Sequence, residues 1–183
     1  MMAYRSGTYI AFHAGGTTDP TASDMKYYRM IQAWHANDNI EFKCVNSHDK
    51  AAAVRDSSKK ETVRRSLIER LRNSRNLLLI VTDQTKRDTD WVPFEITQAV
   101  DNFGLPIIAA YPGYSKIMDP SALRHLWPAA LAARIDNGSA KVIHVPFGRS
   151  FIDDAISQFG VNHKSPATGV NHYSEQAHAS LSA

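Results

Sequence analysis

The chain has 183 residues, enough for one domain with a full core and a short tail. An apolar fraction of 43% and a charged fraction of 21% exclude a disordered chain. No apolar run approaches the roughly 20 residues of a membrane helix, and the start, Met1-Met2-Ala3-Tyr4-Arg5, leads to no small-residue cleavage site, so no secretory signal is read. The formal charge of +3 is too small to imply nucleic-acid binding, and the lone Cys44, which can form no internal disulfide, fits a reducing, cytoplasmic setting.

Residues 8–14 read as a short strand, followed by a loop at Gly15-Gly16-Thr17-Thr18-Asp19-Pro20. Ser23 or Asp24 caps a helix to about Ala36, with Tyr27, Met30, Ile31 and Trp34 on one stripe. Ile40 to Val45 alternates apolar and polar, as a half-buried strand does, and places Cys44 as a buried, inert thiol. Residues 46–58 read as a long polar loop. A second helix starts at Ser57 or Ser58 and carries Val63, Leu67 and Leu71 at i, i+4, i+8. From Arg55 to Arg75 eight basic residues stand against three acids: a solvated helix face, or one meeting an anionic partner or a phosphate-bearing ligand.

Leu77-Leu78-Leu79-Ile80-Val81 is the continuous apolar run of a strand covered on both faces. A third helix spans about Asp90 to Phe103 and stops at Gly104, and Pro106 to Tyr111 is a fourth strand. Pro120 to Ala133 reads as a helix, Ala140 to Val145 as a fifth strand and Phe151 to Phe159 as a fifth helix. Residues 161–183, poor in large apolar side chains, are expected to form a tail without a core of its own, after one domain over residues 1–160. Five βα units in alternation predict an α/β, flavodoxin-like three-layer sandwich: a five-stranded parallel sheet of order 2-1-3-4-5 with helices on both faces.

In such a sheet ligands bind beyond the carboxyl ends of the strands, where the order reverses between strands 1 and 3. That rule gathers residues 12–16, residues 83–95 and the loop 46–58 around one crevice. In the third helix Val92, Ile96, Val100 and Phe103 form the core stripe, with Trp91, Glu95, Gln98 and Asn102 beside it. Pro93 is tolerated only in a first helical turn, which sets Glu95 near the positive helix end. A helix-start glutamate is also common for electrostatic reasons alone. Neither the histidine spacing nor the lone cysteine suggests a zinc site, and no phosphate-loop or nucleophile-elbow motif is present, so no metal or bound cofactor is expected.

The stretch Lys60-Glu61-Thr62-Val63-Arg64, then Ser74 through Thr82, then Thr85, then Trp91-Val92-Pro93-Phe94-Glu95-Ile96 resembles TIR-like proteins, in particular the bacterial family that includes the sensor subunit of the Thoeris anti-phage system. This chain has Trp91-Val92 where TIR domains often have Trp-Cys, and Phe12-His13-Ala14-Gly15-Gly16 where their first strand often ends in Ser, an aromatic and Arg. The resemblance implies cleavage of the nicotinamide–ribose bond of NAD+, with Glu95 catalytic and NAD+ as substrate. It implies release of a cyclic ADP-ribose isomer or related nucleotide, a separate nucleotide-sensing effector, and homo-oligomers whose sites are shared across an interface that the 46–58 loop would reach. Phe12, His13, Gly15, Asn46, Asp83 and Trp91 are the candidate substrate-binding residues. A non-catalytic TIR-like interaction module is the alternative. A receiver-like phospho-acceptor would need clustered acids after strand 1, which residues 12–18 lack.

Overall fold

The computed structural model describes residues 5–15, 23–45, 49–50, 52–53 and 56–183. Its apolar runs pair as β1 (Thr8–Ala11), β2 (Phe42–Lys43), β3 (Asn76–Ile80), β4 (Ile107–Tyr111), β5 (Lys141–Pro146) and β6 (Gly169–His172). All neighbours are parallel, in the order β2-β1-β3-β4-β5-β6. The expected order therefore holds across the first five strands, but among the described residues the sheet has six. Residues 169–172 add the sixth at the β5 edge, with Lys141 opposite Gly169 and His144 opposite His172. An edge strand is held largely by main-chain bonds and needs little apolar side-chain area, so composition did not mark it. The rest of the segment packs on the same core: Tyr173 and His178 are buried beside Phe151.

Besides the helical residues 49–50 and 52–53, six α-helices lie wholly among the described residues: α1 (Met25–Trp34), α2 (Ser57–Arg72), α3 (Trp91–Thr97), α4 (Ala129–Asp136), α5 (Arg149–Gln158) and α6 (Glu175–Leu181). The helix expected over 90–103 is α only to Thr97; a π turn, Gln98–Asn102, completes it, and Gly104 at φ 61 ends it in the left-handed region glycine tolerates. The single helix expected over 120–133 is two. Pro128 lacks the N–H that would continue a helix, so the 3₁₀ turn Pro120–Leu126 stops before it and α4 begins after it. Asp56 caps α2, accepting from the Ser58 N–H at 3.0 Å.

Side chains alternate across the strands and divide the core in two. Tyr9, Ala11, Leu77, Leu79 and Ile107 face the layer of α2, α3 and α4. Ile10, Phe12, Leu78, Ile80 and Ile108 face the layer of α1, α5 and α6. This parity decides the neighbourhood of every residue at the strand ends.

On the first face a buried polar chain runs through Trp127, Tyr111 and His144. The Trp127 indole N–H can only donate, and does so to Tyr111 Oη at 2.8 Å. Tyr111 Oη in turn pairs with His144 Nδ1 at 2.7 Å, and His144 Nε2 has no partner among the described residues. Burial pushes the His144 pKa down to about 3. As pH falls below the ordinary value of 6.5 the unfolded chain takes up this proton first, so stability is lost between pH 6.5 and about 3. His144→Phe is expected to remove that loss, about 2 kcal/mol at pH 5. Urea unfolding at pH 7 and pH 5 checks this; equal acid sensitivity of the two proteins would refute it.

Candidate active site

Glu95 lies one turn into α3, in the layer that Tyr9 faces. It is 0% exposed. Its Oε1 accepts from the Tyr9 hydroxyl at 2.7 Å and from the Lys50 ammonium, while Oε2 is buried with no hydrogen-bond partner among the described residues. The expectation that Glu95 faces an open crevice is thus corrected: the carboxylate is sealed. Burial is the largest influence on it and raises its pKa; the Lys50 charge and the hydrogen bonds from Lys50 and Tyr9 pull the other way. Burial and the Glu95 charge hold the Tyr9 phenol well above its ordinary value, so Tyr9 is a neutral donor across the working pH range.

The seal comes from the former loop. Residues 49–50 and 52–53 are helical, and Lys50 and Ala53 are buried. The Trp91 indole N–H donates to the Lys50 carbonyl at 3.2 Å, so one residue of α3 holds the backbone of the turn whose side chain caps another. The start of α3 is itself fixed by Asp88. Its Oδ1 accepts from the N–H groups of Asp90, Trp91 and Val92 at 3.0, 2.9 and 3.3 Å, and its Oδ2 lies 3.2 Å from His13 Nδ1. Burial works against the Asp88 charge, but the bonds from His13 and the backbone outweigh it and lower the pKa. The same bond raises His13.

The candidates named from sequence divide accordingly. Trp91 and Glu95 meet the 46–58 segment through Lys50, and His13 joins them through Asp88. Phe12 does not meet them: it points through the opposite face of the sheet and stacks on Tyr28 at 5.1 Å. Gly15 is exposed in a turn at φ 69, and Asp83 is exposed. Beside Asp83 it is Thr82 that ties the strand ends together, donating to the buried Asp24 carboxylate at 2.8 Å. Asn46, Ser47 and Gly16 lie outside the described residues. Cys44 is half-buried, donates to Tyr28 Oη at 3.0 Å, and is kept protonated by burial. Among the described residues no group of three His, Cys, Asp or Glu is placed to hold a metal ion, and no helix is long and apolar enough to cross a membrane.

Sequence reasoning missed Tyr9, Lys50 and Asp88. Tyr9 carried a weak signal, a phenol at a strand position of the same parity as the core. Asp88 carried another, an acid just upstream of a helix start. Lys50 carried none, because no periodicity marks which residue of a polar loop turns inward.

A doubly wound parallel sheet, with a buried carboxylate at the start of the helix following β3, places the protein among flavodoxin-like α/β domains. More narrowly, residues 9–117, over half of the chain, match the family model described as Thoeris protein ThsB, TIR-like domain, and the chain belongs to that family.

Removing one member of a buried ion pair leaves the other uncompensated, at about 3–5 kcal/mol. Lys50→Met is expected to destabilise the protein by roughly this amount at neutral pH, and adding Glu95→Gln should recover most of it. Urea midpoints of the four proteins of this cycle check the coupling; additive effects would show that the pair is not coupled.

Proposed function

We propose that this protein is an NAD+-cleaving enzyme of anti-phage defence, with Glu95 as its catalytic residue. The observation that carries the reading is the Oε2 of a wholly buried carboxylate, which has no hydrogen-bond partner among the described residues. Buried polar atoms are normally satisfied, and exceptions concentrate where a group is kept for chemistry. Membership of the ThsB TIR-like family supports the same reading.

The chemistry needs one acid. Nicotinamide leaves NAD+ as a neutral base, taking the electron pair of the C1′–N bond and leaving positive charge on the ribose. A carboxylate against that carbon stabilises the charge, the more so where water is excluded. Tyr9 holds Oε1, leaving Oε2 as the oxygen to meet the sugar. Lys50 neutralises the same carboxylate, so the described arrangement is a resting state and turnover requires Lys50 to withdraw. Trp91, His13 and Gly15 are retained as substrate-side candidates, together with Asn46 and Asp83; Phe12 would act only from the opposite face. Water capturing the cation yields ADP-ribose and a proton; a nucleophile in the same molecule yields a cyclic isomer that would serve as signal to a separate nucleotide-sensing effector. In this reading the protein works in the cytoplasm, as a homo-oligomer.

One observation favours the alternative, a non-catalytic interaction module: an ion-paired, fully enclosed glutamate is also what a structural role requires. Chromatography of nicotinamide from NAD+, with purified protein alone and in phage-infected lysate, separates the two. Glu95→Gln is expected to lower release on the order of 10²–10³-fold. Tyr9→Phe should lower kcat more than it raises KM. Activity should fail as pH drops below the raised Glu95 pKa, because the neutral acid cannot stabilise the cation. Absence of nicotinamide under both conditions, with full defence activity in Glu95→Gln, would sink the enzymatic reading.

A further inference from the structure

On the far side of the turn that bears Lys50 lies an open cavity of about 560 Å³, between that turn and α2. The volume falls in the range of small-molecule sites, roughly 300–1,000 Å³. Its walls are of three kinds. Val45, Ala52 and Val63 give it an apolar side. Ser58, Thr62 and Ser66, each four residues apart, line α2 with hydroxyls. Lys59 and Arg70 bring positive charge, and among the described residues neither is in an ion pair; Asp49 is the one acid in the lining. Arg70 reaches back one turn to donate to Ser66 Oγ, so the two cations stand about two turns apart along α2, on the order of 11 Å. A lone phosphate does not span that separation. The excess of basic residues along the whole of α2 adds a positive field over the opening.

We infer that this cavity binds a nucleoside diphosphate and that its occupant holds Lys50 over Glu95. The apolar wall takes the base, the hydroxyl row the ribose, and Lys59 and Arg70 the phosphates. The coupling follows from the helical residues 49–50 and 52–53 facing two ways. Asp49 and Ala52 border the cavity, whereas Lys50 and Ala53 are buried on the side of Trp91 and Glu95. The cavity exists in the arrangement in which Glu95 is capped, so a ligand that fits it stabilises the capped state. Such a ligand is an inhibitor acting away from the carboxylate. Only this last consequence, for activity, rests on Glu95 being catalytic; binding and coupling do not.

The test uses calorimetric titration of the full chain with ADP, with adenosine and with pyrophosphate, alongside amide exchange of Lys50, Ala52 and Ala53. ADP is expected to bind at least tenfold more tightly than either part. The Lys59→Ala/Arg70→Ala variant should lose at least tenfold in ADP affinity, as should Thr62→Trp, which fills the cavity from an exposed position; Glu95→Gln, which releases Lys50, should weaken ADP binding by less than these through the coupling alone. Bound ADP should slow exchange in the turn. No ADP binding, pyrophosphate binding as tightly as ADP, or an affinity kept in the α2 variants would overturn the site. Exchange that is unchanged or faster with ADP bound would overturn the coupling.

Discussion

The buried contact of the Lys50 ammonium with the Glu95 carboxylate is the interaction on which the rest of the structure depends. Both groups leave water, and their attraction does little more than offset that desolvation. Such a pair adds little net stability, but it is expensive to break, so it selects one arrangement of the chain. Three elements converge to make it: β1 with the Tyr9 hydroxyl, the helical residues 49–50 and 52–53 with Lys50, and α3 with Glu95. Trp91 and Asp88 hold the geometry from behind, one gripping the Lys50 carbonyl and the other the first N–H groups of α3.

Strand parity explains what converges and what does not. Tyr9 and Ala11 point into the layer of α2 and α3, whereas Ile10 and Phe12 point into the layer of α1 and α5. One step along β1 therefore separates a phenol that touches the carboxylate from an aromatic ring that stacks on Tyr28. The same face that carries the capped glutamate also carries the cavity beside α2, with a single helical turn between them. Charge at one and occupancy at the other are linked because both act on that turn.

Much of this was legible in the residues. The apolar runs at 77–81 and 106–111 became central strands, strict alternation with helices implied parallel pairing, and the order assumed from the flavodoxin-like layout matches the first five strands. Glu95 was placed correctly along the chain and beside the core stripe, because Pro93 fixes the first turn of α3. Its orientation was not legible, since spacing gives the side of a helix and not what closes over it. Lys50 was hidden in a loop with no periodic pattern. The sixth strand was hidden because Gly169–His172 pairs at an edge, where the backbone supplies most of the contact. The break at Pro128 was legible in principle, because proline lacks the N–H that a continuing helix needs.

The central claim is that Lys50 controls access to Glu95, and carbodiimide labelling of carboxyl groups followed by peptide mass spectrometry tests it directly. In the wild-type protein Glu95 should stay unlabelled while exposed acids such as Glu61 and Asp49 react, and in Lys50→Ala, folded under the same conditions, Glu95 should label. Labelling of Glu95 as fast as Glu61 in the wild type, or a Glu95 that remains protected once Lys50 is removed, would contradict the account.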